Sequence, residues 1–184
     1  AQGGLKGNGV VFGLERVRVK VFSQGRFQFQ QLRNGRPGDM FSNPSLNVLE
    51  KPWPGGTASD LLAQMLLDAD MAGNAYHAKI AGQIVRLRPD WVEVILGERV
   101  GGVGPASKLG YVYWHGGKGP GGDAPVLFTA DEVAHFAPMP DPLYSYRGMS
   151  WPTPVIREIQ ADGAATNHKR KFFENAATPN LSVA

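Results

Sequence analysis

The chain's four histidines, His77, His115, His135 and His168, are its best candidates for acid–base or metal chemistry. None lies two to four residues from another and there is no HExxH, so a metal site would have to be built from distant positions. His135, in Glu132-Val133-Ala134-His135-Phe136, has Asp131 and Glu132 as candidate partners for general-base work. The competing reading is a structural histidine on a strand. Gly101–Lys108 has the glycines of a phosphate loop but not its pattern, GxxxxGK[ST] leading from a strand into a helix. Asp68 and Asp70 stand two apart on an expected helix and point to different faces, which is not a catalytic dyad. No GxSxG elbow is present. Two basic clusters, Arg16, Arg18 and Lys20 near the start and Lys169, Arg170 and Lys171 near the end, are candidates for nucleic-acid or partner contact. A solvated helix face is the favoured reading of the first and explains the second equally well. Tyr111, Tyr113 and Trp114 could stack on bases, but aromatics on strands are more often core. No catalytic constellation emerges.

Composition agrees with a globular scaffold. The 184 residues are 42% hydrophobic and 19% charged, enough for one domain with a real core or a small pair. There is no cysteine, which removes disulfides and thiolate metal sites and fits a reducing compartment. No apolar run approaches the roughly 18 residues that span a bilayer, and no signal-peptide pattern opens the chain. The net charge of +3 is uneven. Residues 1–36 carry seven basic side chains against Glu15 alone, an excess of six, leaving the remainder at −3. Such an arm suits nucleic acid or an acidic surface. The chain lacks a starting Met, and Leu181-Ser182-Val183 before Ala184 reads as a strand beginning, so a trimmed chain is expected.

The elements that would position these residues follow from spacing. Residues 1–9 are small and loose. Val10, Val11, Leu14, Val17, Val21 and Phe22 predict a helix over about 10–24 with one apolar stripe. Phe27 and Phe29 predict a short strand, and Arg33–Asp39 a loop. After the Pro52-Trp53-Pro54-Gly55-Gly56 break, Thr57 reads as an N-cap with Asp60 closing a capping box. Leu61, Leu62, Met65, Leu66 and Ala69 make the helix's apolar face, with Asp68 and Asp70 off it, and Gly73-Asn74 its left-handed end. Tyr76–Leu87 reads as a hairpin, Arg88-Pro89-Asp90 as a turn and Trp91–Leu96 as a strand. Glycine-rich loops are expected at 97–110 and 115–123, with strands at 111–114, 126–128 and 133–136. A last helix is expected from Trp151-Pro152, capped by Ser150 and ending in the basic run before Asn175.

The order of these pieces resembles one family. Leu49-Glu50-Lys51-Pro52-Trp53-Pro54, Thr57 with Leu61-Leu62, and Ala72-Gly73-Asn74-Ala75-Tyr76 are similar to the portal proteins of tailed bacteriophages. So are Leu87-Arg88-Pro89-Asp90-Trp91-Val92, the Asp131–His135 strand of the D-x-V-x-H type, Gly148-Met149-Ser150-Trp151-Pro152, and Phe172-Phe173-Glu174-Asn175-Ala176. Trp151 and Ala176-Ala177 depart from the family pattern.

The resemblance implies an α+β fold of the portal wing type, with helices packed on a small, mostly antiparallel sheet. It divides the chain into a basic arm at 1–39, a wing core at 40–150, and a helix with the start of a strand at 151–184, before further channel helices. It implies a structural role with no enzymatic activity and no cofactor. That role is a subunit of a homo-oligomeric ring, usually a dodecamer, at a capsid vertex. Double-stranded DNA passes through such a ring, and a terminase motor, capsid proteins and head–tail adaptors contact it. The location would be the virion, and the host cytoplasm during assembly, with no membrane. Thr57, Gly73, Asn74, Tyr76, Pro89, Trp91, His135, Gly148, Ser150 and Asn175 would then be framework residues. The competing class is a nucleic-acid-binding module acting through the basic arm.

Overall fold

Thr57 starts the central helix as its spacing predicts. In the computed structural model, which describes residues 8–119, 122–144 and 146–175, the Thr57 side chain accepts from the Asp60 amide and the Asp60 carboxylate accepts from the Thr57 amide. This reciprocal pairing satisfies two of the donors a helix start leaves open. Elements in chain order are α1 (Gly9–Phe22), β1 (Phe29–Arg33), β2 (Arg36–Phe41), α2 (Asn47–Glu50), α3 (Ala58–Ala72), β3 (Ala75–Ile80), β4 (Gln83–Leu87), β5 (Val92–Arg99), β6 (Ala106–Tyr113), β7 (Val126–Thr129), β8 (Val133–Phe136) and α4 (Ile156–Glu174). Of the expected loose start at 1–9, Asn8 instead caps α1 and Gly9 opens it; residues 1–7, the strand at Leu181–Val183 and the Ala176-Ala177 motif lie outside the described residues.

Two antiparallel three-stranded sheets, β4-β3-β8 and β5-β6-β7, form the α+β body. They share one core. Tyr76 and Ala78 of β3, Leu87 of β4 and Val133 of β8 meet Val92 of β5 and Tyr111 of β6, with Tyr76 edge-on to Tyr111 at 5.6 Å between ring centroids. All of Ala75–Ala78 is buried, so β3 is covered on both faces. Alternation then sends His77 to the side opposite Tyr76, where α3 packs on the strand. Leu61, Leu62, Leu66 and Ala69 of α3 are buried, the leucines contributing roughly 2–3 kcal/mol each before entropy.

Several local expectations need correction. Asp68 and Asp70 are not solvated: both are buried among the apolar residues of α3. A guanidinium meets each in bidentate fashion, Arg86 of β4 on Asp68 (2.6 and 2.6 Å) and Arg18 of α1 on Asp70 (2.6 and 2.9 Å). Arg33–Asp39 is not a loop. Asn34 and Gly35, both with positive φ, make a two-residue hairpin turn, and Arg36–Phe41 is a strand. Pro37 and Gly38 are tolerated because β1 and β2 form a sheet of two strands only, leaving each an unpaired side. Residues 97–110 are mostly strand. Gly97 and Gly110 are there for cross-strand proximity, since a Cβ would collide with Ser107 Oγ at the first and with the Phe128 carbonyl at the second. The last helix starts at Ile156, not near Trp151, and Ser150 does not cap it. Pro152 and Pro154 flank Thr153, and a residue before proline is driven out of helical φ/ψ. The Ser150 hydroxyl pairs instead with that of Thr153.

The helix expected at 10–24 is present as α1, but of its stripe only Val11 and Phe22 turn inward, Phe22 half-buried against Phe136, while Val10, Leu14, Val17 and Val21 are exposed. Val11 and Glu15 are the residues it buries. Glu15, 2% exposed, receives the Trp151 indole N–H at 3.3 Å, while its Oε1 has no partner. Burial first, and then the nearby Asp70 carboxylate, push Glu15 up to about 7. The folded protein therefore binds a proton that the unfolded chain gives up near pH 4.5. Stability from this group is full below pH 4.5 and is lost as pH rises towards 7. A loss on the order of 1–2 kcal/mol after solvent screening is expected. Urea melts at stepped pH check it: a Glu15→Gln variant should lose that decline.

Candidate functional site

Asn74 is the residue on which the structure concentrates its polar contacts. Gly73, at φ 77°, ends α3 in the left-handed region, and the buried Asn74 follows it as the link into β3. The segment before α4 then returns over this corner. Asn74 Nδ2 donates to the carbonyls of Ala72 (3.0 Å) and Gly148 (3.1 Å), and Oδ1 accepts from the Gly148 amide (2.8 Å) and from His135 Nε2 (2.9 Å). Both N–H bonds and both lone pairs of the buried amide are used. Gly148 has to be glycine, because a Cβ would overlap the Gly73 carbonyl and press on Ala137. Gly73 meets the same limit from the other side.

His135 extends the network. It sits opposite Tyr76 in the β3–β8 register, its ring stacked on that tyrosine at 4.4 Å, with Tyr111 edge-on at 6.0 Å. Its Nδ1 lies 2.8 Å from Lys108 Nζ. An ammonium only donates and an amide oxygen only accepts, so Nδ1 accepts, Nε2 carries the proton and the ring is neutral. Burial, then the charges of Lys108 and Arg147, bring His135 down to about 4. Burial also lowers Lys108 and lifts Tyr76 to about 12. A histidine held this way is a poor general base. Its expected partners are otherwise placed, Glu132 accepting from the Thr129 amide and hydroxyl across the β7–β8 turn.

The other singled-out residues fall in separate places. Thr57 caps the far end of α3. Pro89 opens a single 3₁₀ turn that ends in Trp91, whose ring carries the Arg88 guanidinium at 4.1 Å and meets Tyr113 and His115. Tyr111 is core, and Tyr113 and Trp114 are half-buried. Arg16 and Lys20 are exposed on α1, whereas Arg18 is committed to Asp70. Lys169, Arg170 and Lys171 are exposed on the last turns of α4, Arg170 lying 3.5 Å from Glu174, and the Asn175 amide closes that helix onto the Lys171 carbonyl. Sequence reasoning missed Glu15, Lys108 and Arg86. Aspartates amid the apolar residues of a helix, where their propensity is poor, were the one available signal for Asp68 and Asp70 and for the arginines that meet them. Lys108 is near His135 only through the folding of the two sheets. Among the described residues no group of three or more His, Asp or Glu could hold a metal ion, and no helix is long and apolar enough to cross a membrane.

Two measurements test this corner. Asn74→Ala leaves the Gly148 amide and carbonyl and the His135 N–H without partners, and should cost about 3 kcal/mol or more in denaturant unfolding. For His135 the folded pKa is depressed, so its stabilisation is present above pH 6.5 and is lost as pH falls towards 4. Between pH 4.5 and 6.5 this slope opposes that of Glu15, so it should stand out in a Glu15→Gln background. A flat acid profile in that variant would contradict the assignment.

Comparison with known proteins places this geometry. The family model described as phage portal protein matches residues 16–183. Among solved structures, the neck of an empty GTA particle computed with C6 symmetry aligns at TM-score 0.76 with 20% identity, covering 97% of this chain and 46% of that one. The neck of a native GTA particle computed with C12 symmetry gives 0.72, 19%, 97% and 45%. The virion of a native gene transfer agent particle gives 0.72, 20%, 97% and 45%. The curated proteins offer no match. The chain spans just under half the length of the chains it aligns with. With the family model covering nearly the whole sequence, this chain belongs to the phage portal protein family.

Proposed function

We propose that this chain is part of a structural subunit of a portal ring, through which double-stranded DNA enters and leaves a capsid and to which a tail connects. The observation that carries the reading is the continuous family match over residues 16–183. The aligned structures support it, being described as symmetric necks and as a virion. On this reading residues 1–150 form most of the wing, with 1–39 as its basic arm and 40–150 as its core, and α4 leads towards the rest of the subunit. The ring is homo-oligomeric, most naturally of twelve copies. Its partners are a terminase motor, capsid proteins and head–tail adaptors. It resides in the virion, after assembly in the host cytoplasm.

The subunit works as a framework. Asn74, His135 and Gly148 hold a helix end, a strand and a returning loop in register, and Thr57, Pro89 and Trp91 fix the ends of neighbouring elements. A nucleic-acid-binding module using Arg16, Arg18 and Lys20 is the weaker reading, because Arg18 is already paired with the buried Asp70. The full-length protein containing these residues should assemble into closed rings with a central opening wide enough for duplex DNA, as seen by negative-stain microscopy and native mass spectrometry. Monomers or dimers alone at high protein concentration would overturn the proposal.

A further inference from the structure

We propose that the outward stripe of α1 docks on a neighbouring copy of this chain. Val10, Leu14, Val17 and Val21 are 70, 52, 63 and 69% exposed, although they are the apolar residues the helix repeats most regularly. Their spacing of four, three and four is that of a coiled-coil seam, a pattern that packs against protein. At about 100° per residue the stripe lies roughly 110° round the helix from the buried line of Val11 and Glu15. The described core cannot cover it while Arg18 holds Asp70 and Glu15 receives the Trp151 indole.

Two observations and a symmetry requirement point to a second copy as the occupant. Residues 1–36 have six excess positive charges and the remainder three excess negative ones; with Arg18 and Asp70 already paired inside the subunit, five and two remain, so the arm of one copy and the body of another are still complementary in sign. A head-to-tail ring needs two different surfaces on each subunit, and the oppositely charged arm and body differ in that way. The hairpin β1–β2, which follows α1 directly, also points outward. Its strands are exposed along almost their whole length, with Phe29 stacked on Phe41 at 5.7 Å and Leu32 and Met40 exposed. An isolated two-stranded hairpin is marginal in water, and an adjacent subunit would cover it. Duplex DNA fits the stripe less well, since a row of valines and a leucine gains nothing against phosphates.

This inference rests on the ring reading above, and the experiment separates the two. The full-length protein is compared with a Leu14→Glu/Val17→Glu variant, both sites being exposed so that the melting temperature should hold. Rings from the unmodified protein, with at least a tenfold higher concentration needed for half-assembly of the variant, support the docking. Equal assembly of both proteins overturns the docking and leaves the ring intact. Absence of rings from the unmodified protein overturns both. Because the described sequence has no cysteine, Val17→Cys carrying a thiol-attached photo-cross-linker gives an independent readout. Covalent subunit dimers after illumination support the proposal. Cross-links found only to added DNA, or only within one subunit, overturn it.

Discussion

Burying two carboxylates on one helix is the constraint that arranges the rest of this subunit. Asp68 and Asp70 are about 200° apart around α3, so no single cation can serve both, and an unpaired buried charge is prohibitively costly. Each takes a bidentate arginine from a different direction. Arg86 ties α3 to the sheet through β4, and Arg18 ties α1 to the other side. The helix is thus clamped between two layers by charge as well as by its leucines. The same clamp sets the roll of α1, and this explains how a helix with a good apolar stripe comes to show it to solvent.

That roll marks the limit of what could be read from sequence. The capped start at Thr57, the left-handed end at Gly73, the hairpin across Ala81-Gly82 and the turn at Pro89 were all legible, because each is decided by residues close together in the chain. Hydrophobic spacing identified α1 as a helix but not which side it packs, since that side is chosen by partners 52 and 136 residues away. Glycine and proline misled where they serve a sheet: Pro37 and Gly38 sit in a free-edged hairpin, and Gly97 and Gly110 let strands approach. The polar network was legible only as separate pieces. Asn74 and His135 stood out in their motifs, whereas Lys108 becomes the partner of His135 only when the two sheets come together.

Glu15 and His135 make the body's response to acidity unusual. Both are kept neutral by burial, one as an acid holding its proton and one as a base refusing it. Their effects on stability run in opposite directions over the same mildly acidic range. His77, also lowered by burial, adds to the slope of His135.

The close approach of Gly73 to Gly148 has a consequence in time. Asn74 lies at the first bend after the central helix, yet its partners on Gly148 are 74 residues downstream. A chain emerging from the ribosome can wind α3 and pair β3 with β4 early, because those contacts are local. The bend itself stays unfinished, with a buried amide short of hydrogen bonds, until residue 148 has been synthesised and the loop has closed over it. Within the described residues, this helix–strand corner can complete its hydrogen bonds only after the hairpin that follows it in the chain.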